Sequence, residues 1–153
     1  MMTFMQVRAV VKVALSALGV LVALFLLIQL IPYGRTHTNP PTTVEPAWDS
    51  PRTRELAKRA CFDCHSNETR WPWYANVAPM SWAVQQDVDA ARRVMNFSEW
   101  TVPYALSIYS GRRVFGGNMP PKKYILAHPE ADLTEDERME LGRGLEATLG
   151  KPN

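Results

Sequence analysis

The chain has 153 residues, 46% of them hydrophobic and 21% charged, with a formal net charge of +2. That size fits one domain plus a short accessory segment, and the apolar–charged balance excludes global disorder. From Pro32 onward 15 Lys and Arg stand against 15 Asp and Glu, which argues against the basic face of a nucleic-acid binder. The local pairs Arg92-Arg93, Arg112-Arg113 and Lys122-Lys123 read as solvated helix ends or faces rather than a docking patch.

Residues 1–32 read as a membrane anchor. Val13 to Ile31 is a 19-residue run without a formal charge, interrupted only by Ser16, Gly19 and Gln29, and about 20 apolar residues cross a bilayer as a helix. The run is longer than the ~7–15-residue apolar region of a cleaved secretion signal. It ends Leu30-Ile31-Pro32-Tyr33 with no small-residue cleavage pattern, so a retained single-pass anchor is expected. Arg8 and Lys12 precede the span and Arg35 is the only basic residue soon after it. The positive-inside rule therefore places the N-terminus in the cytoplasm and the rest outside. Residues 33–50, with Pro40, Pro41 and Pro46, form a Pro/Thr-rich linker, expected to be extended and semi-rigid. Packing of its prolines over the domain is the alternative.

Residues 51–150 are predicted to be helical. Ser50 can cap a helix and Pro51 suits its first position. Leu56, Ala60 and Cys64 then recur at a spacing of four with Ala57 and Cys61 beside them, so one helix would carry both cysteines on one side. Ser81 is a candidate cap for a second helix with the apolar stripe Val84, Val88, Ala91 and Met95. A third is expected from near Pro103 to just before Gly116-Gly117. Thr134 and Glu137 have capping-box spacing, and the last helix carries Leu141, Leu145 and Leu149. Gly142 and Gly144 weaken that helix by about 1 kcal/mol each relative to Ala, and close approach to another helix or a bound group would explain them. No run alternates with period two. The predicted class is all-α.

Every cysteine of the chain lies in Cys61-Phe62-Asp63-Cys64-His65. Two thiols three positions apart, followed at once by an imidazole, is the spacing that attaches a c-type haem. Each thiol adds across one vinyl group, and the histidine becomes the proximal iron ligand. Such haem is attached on the outer face of a bacterial inner membrane, which agrees with the anchor's orientation. Met119, in Gly116-Gly117-Asn118-Met119-Pro120-Pro121, is the leading candidate for the second axial ligand. Glycines there allow close backbone approach and prolines set the chain's direction. Met80 and His128 are its rivals; His37 lies in the linker, and Met95 and Met139 fall in helical patterns as packing residues. Trp71, Trp73, Tyr74 and Trp82 cluster after the motif, followed by Phe97 and Trp100. They are candidates for the haem pocket, with an ordinary helical core as the plainer account. Pro120 joins the same candidate pocket. Arg70 has the charge to bind a propionate, although a surface position explains it as simply.

Several segments resemble the bacterial haem-binding-domain proteins, small membrane-anchored relatives of class I cytochromes c. The landmarks are Asn39-Pro40-Pro41, Glu45-Pro46-Ala47-Trp48, the run from Cys61 to Thr69, Trp71-Pro72-Trp73-Tyr74, Ala78-Pro79, Asn96-Phe97-Ser98-Glu99-Trp100 and Met119-Pro120-Pro121. The resemblance spans about Asn39 to Leu149. It implies a cytochrome c-like helical domain enclosing one covalent haem, with His65 proximal and Met119 distal.

With both axial positions filled, the expected function is single-electron transfer by a membrane-anchored, periplasm-facing monohaem cytochrome, not enzymatic catalysis. Its expected partners are redox proteins of the periplasm or inner membrane. The alternative is a haem enzyme or a gas or redox sensor with a displaceable distal ligand. A thiol–disulfide protein would need a βαβ pattern that is absent. Cys61, Cys64, His37 and His128 make a poor tetrahedral zinc set.

Overall fold

A computed structural model describes residues 4–101 and 104–150. Among them 61% are helical and none forms a strand. The helices are α1 (Phe4–Ile28), α2 (Pro51–Ala60), α3 (Phe62–His65), α4 (Met80–Val94), α5 (Ser110–Phe115), α6 (Lys122–Ile125) and α7 (Glu135–Leu149). They fall into two units, residues up to 36 with 72–85, and residues 37–71 with 86 onward.

In the first unit, α1 is long and apolar enough to cross a membrane, and none of its residues is buried. Its end is tied down by Gln29. The Gln29 amide donates to the carbonyl of Ala78 at 2.9 Å, and its oxygen accepts from the Ala78 N–H at 3.0 Å and from Arg35 at 2.9 Å. Gly34 has φ +79°, and a Cβ there would run into the Ser81 carbonyl. α4 begins one residue before the expected cap. The Ser81 N–H bonds the Val77 carbonyl and those of Trp82 and Ala83 bond Pro79, so backbone carbonyls form the first turn. The Ser81 hydroxyl is buried and makes no hydrogen bond.

The second unit starts as its sequence predicts. Ser50 accepts from the Thr53 N–H at 3.1 Å, and Pro51 opens α2. The Pro/Thr-rich stretch packs on the domain. Arg54 grips Glu45 through two bonds of 2.6 and 2.7 Å, and Glu45 accepts from Trp48 Nε1 at 2.7 Å. Val44 pairs with Glu99 in an isolated bridge, and Trp48 packs on Phe62 and Phe97. The third helix starts late. A 3-10 turn at Ser107–Tyr109 leads into α5, while the expected start at Pro103 lies outside the described residues.

α7 begins with the predicted capping box between Thr134 and Glu137 and buries Leu141, Leu145 and Leu149. Its glycines are contact points. A Cβ on Gly142 would overlap the Phe115 ring of α5, and one on Gly144 would overlap Thr53 of α2. Gly111 of α5 in turn abuts the Gly142 carbonyl. Small residues thus let three helices approach closely.

Gly142→Ala improves helix propensity by about 1 kcal/mol, yet it should destabilise the fold by about 1–3 kcal/mol through overpacking. A lower urea midpoint is the expected reading; an increase would count against the close helix contact. Glu137 has a carboxyl lowered to about 2, first by its bond to Arg59 and next by the Thr134 N–H. Its stabilisation is therefore complete above pH ~4.5 and lost as pH falls toward ~2. Glu137→Gln should flatten the pH dependence of the urea midpoint across that window.

Candidate haem-binding site

α2 stops at Cys61, whose φ of −126° and ψ of −32° leave the helical region, and α3 restarts at Phe62. The helix expected to run through both cysteines is therefore broken. The Cys61 carbonyl accepts from both the Cys64 and His65 N–H groups, at 3.2 and 2.9 Å, so the next turn hangs from the first cysteine. Both thiols line one cavity of about 510 Å³, within the roughly 300–1,000 Å³ usual for small-molecule and cofactor sites. The thiols are not bonded to each other. Burial pushes the Cys61 thiol up to about 12 and the Cys64 thiol up to about 11, the latter helped by the Asp63 charge. Both stay protonated at neutral pH, unlike the thiolates of redox-active cysteine pairs.

His65 also lines the cavity. Its Nδ1 lies 3.1 Å from the Met95 carbonyl. A carbonyl can only accept, so Nδ1 carries the proton and Nε2 keeps the free lone pair. Burial lowers the ring's pKa, opposed in part by the carbonyls of Met95 and Ala91, so the imidazole is neutral at pH 7. Its backbone is held as well, the His65 carbonyl accepting from Phe97 N–H at 2.8 Å. Buried polar groups then fix residues 96–98. Asn96 donates to Asn67, the Ser98 N–H donates to Asn96, and the Asn67 N–H donates to the Ser98 hydroxyl, each at 2.9 Å.

Asp63, inside the motif, is buried. It accepts from the Arg70 N–H at 3.0 Å, from the Arg70 guanidinium at 3.1 and 3.2 Å, and from the Tyr124 hydroxyl at 2.6 Å. Burial and the neighbouring carboxylate raise the Tyr124 pKa, so the phenol stays protonated and donates. Tyr124 is on the cavity wall, which makes Asp63 a link between the cysteine motif and the segment after Met119.

Met119 and Pro120 reach the same cavity. The Asn118 and Met119 N–H groups both donate to the Arg113 carbonyl, at 2.9 and 3.1 Å, and Gly117 turns the chain with φ +64°. Met119 is 37% exposed and also borders a neighbouring hollow lined by Leu126, Leu133 and Arg138. The cavity thus gathers Cys61, Cys64, His65, Met119 and Pro120.

Other residues singled out in the sequence stand elsewhere. Trp71 stacks on His37 at 4.8 Å, Arg70 is engaged by Asp63, and His128 stacks on Tyr124 at 4.2 Å. Trp73, Tyr74, Trp82 and Met80 belong to the first unit, whereas the cavity wall comes wholly from the second. Its aromatic lining is Phe97, Tyr109 and Tyr124. Tyr109 and Tyr124 carried no signal of their own, because a 3-10 turn and a four-residue helix show no periodicity.

The family model for a haem-binding domain matches residues 23–147. The chain belongs to the haem-binding domain family. No curated protein and no solved structure matches it. The donor set of the cavity fits the group that gives the family its description. A neutral imidazole nitrogen, the Met119 thioether and two thiols not bonded to each other open onto a wall with Val94, Phe97, Val114 and Leu145. A second thioether, that of Met95, also lines this wall; it is buried and accepts from the Ser110 hydroxyl at 3.4 Å.

Asp63→Asn removes the charge that Arg70 and Tyr124 share and should cost about 1.5–3 kcal/mol, measured by urea denaturation. Arg70→Ala should cost less, about 0–1 kcal/mol, since the guanidinium is exposed and such pairs contribute little. Equal losses would contradict the account of Asp63 as the buried hub.

Proposed function

We propose that the protein is a membrane-anchored c-type monohaem electron carrier, with Cys61 and Cys64 holding the haem covalently and His65 and Met119 as axial ligands. The observation that carries this reading is the hydrogen bond from His65 Nδ1 to the Met95 carbonyl. It presents Nε2 as a metal ligand with its other nitrogen anchored, the usual second-shell arrangement of metal-binding histidines. Two thiols and the Met119 thioether share that cavity. Cys61 and Cys64 would each hold the haem through a thioether to one of its vinyl groups. When bound, the iron supplies reversible one-electron chemistry.

The chain's own part is to orient and insulate. Met95 fixes the tautomer of His65, burial keeps its ring neutral, and the apolar wall excludes water. With His65 and Met119 both holding the iron, electron transfer through the haem edge would be favoured over catalysis at the metal. α1 tethers the domain, and the Arg8 and Lys12 charges favour a cytoplasmic N-terminus and a periplasmic domain. Its partners in this reading are redox proteins of that compartment or membrane.

One observation favours a second reading. Met119 borders two hollows and is partly exposed, a position from which a distal ligand can swing away to admit a gas or peroxide.

Haem should stay with the polypeptide on a denaturing gel stained for haem, and Cys61→Ala with Cys64→Ala should abolish that band. Its loss from the unsubstituted chain would sink covalent attachment. In the oxidised spectrum, the long-wavelength band of methionine–iron ligation should vanish in Met119→Ala and persist in Met80→Ala. Carbon monoxide should bind the reduced protein weakly and Met119→Ala strongly; tight binding to both selects the sensor reading.

A further inference from the structure

The first unit is chemically unlike the second. Residues 71–86 form a 16-residue run without a formal charge, the longest outside the anchor. No Asp or Glu occurs in residues 1–36 or 72–85, so all 15 carboxylate side chains of the chain lie in the second unit. Within the first unit this run is fastened to the end of the apolar helix. Gln29 is the first polar residue there, and it bonds both backbone groups of Ala78. The charge-free helical stretch from Val13 to Ile28 rises roughly 24 Å at about 1.5 Å per residue, and the turn at Gln29 and Leu30 carries the chain on toward the limit of a hydrocarbon core of about 30 Å. Ala78 is therefore held at the depth where α1 leaves the hydrocarbon.

Apart from Asn76, whose amide turns back to donate to the Trp73 carbonyl at 3.1 Å, the exposed side chains of residues 72–82 are apolar or amphipathic. Trp73 is 79% exposed and Met80 48% exposed, with Tyr74 edge-on to Trp73 at 5.9 Å. Tyr33 is exposed on the segment after α1. Water is an unfavourable medium for a surface of this kind, whereas Trp and Tyr are enriched at membrane interfaces, where an apolar ring and a polar edge are both accommodated.

We propose that residues 72–82 form a membrane-contact surface, with Trp73 and Met80 seated in the headgroup region of the bilayer that α1 spans. This rests on the reading of α1 as an anchor. The lipid is the occupant because the surface is continuous with the span through Gln29 and carries no charge that would need a protein counterpart. A second attachment point beside the helix restrains the first unit against rotation about the α1 axis, which a single span leaves free.

The test uses the full chain in phosphatidylcholine nanodiscs. They contain a minor share of phosphatidylcholine with a diazirine near the top of one acyl chain. After irradiation, lipid adducts mapped by mass spectrometry should fall on Trp73 and Met80 as well as on the end of α1 around Leu27–Leu30. Trp73→Glu should reduce adducts on residues 72–82 several-fold and leave those on α1 unchanged. Adducts on α1 without any on residues 72–82 would overturn the contact surface alone, as would a Trp73→Glu pattern identical to the parent. Absence of adducts from α1 would overturn the anchor, and the surface with it.

Discussion

A half-buried imidazole with one nitrogen spoken for is the constraint on which the domain's organisation depends. His65 donates from Nδ1 to the Met95 carbonyl, and the geometry of that bond relies on residues 95–98 keeping their place. Asn67, Asn96 and Ser98 hold them there by side-chain bonds that leave little backbone freedom. Ser98 then accepts from Thr43, and Val44 accepts from Trp100. Arg92 ties α4 to Thr38, Asn39, Ser66 and Thr69. The Pro/Thr-rich stretch is therefore structural. Removing it would loosen the shelf behind the histidine rather than merely shorten a tether.

Opposite that shelf the domain uses small residues where a larger protein would use bulk. Gly111, Gly142 and Gly144 bring α2, α5 and α7 close together, which sharpens one side of the core and leaves the cavity on the other. Leu145 and Val114 belong both to the core cluster and to the cavity wall. Atoms lining an unfilled space lose dispersion contacts on that side, so a group bound there completes the packing. Binding and folding stability are then linked by mass action.

The parts legible in the sequence are those determined by near neighbours. Ser50 with Pro51, Thr134 with Glu137, and the Leu141, Leu145, Leu149 series each work within a turn or two of chain, and each stands where its pattern placed it. The cysteine–histidine motif is equally local, and its thiols and imidazole line one cavity, although the helix expected to run through both cysteines is broken at Cys61. What escaped depends on partners far away. Trp71, Trp73, Tyr74 and Trp82 form one cluster along the chain, but Gln29, 49 residues from Ala78, gathers three of them into a different unit from Trp71. Similarly, nothing near Gly142 announces that Phe115 fills the space where a methyl would stand. The break at Cys61 reflects a carbonyl shared by two later N–H groups, which periodicity does not record.

The uneven placement of carboxylates also divides the molecule by sign of charge. The formally charged side chains of the first unit are Arg8, Lys12 and Arg35, all basic. The second unit holds the other 14 Lys and Arg against all 15 Asp and Glu. The modest net charge of the whole chain thus conceals a purely cationic unit joined to a nearly balanced one, and salt screens the first against anionic surfaces far more than it alters the second.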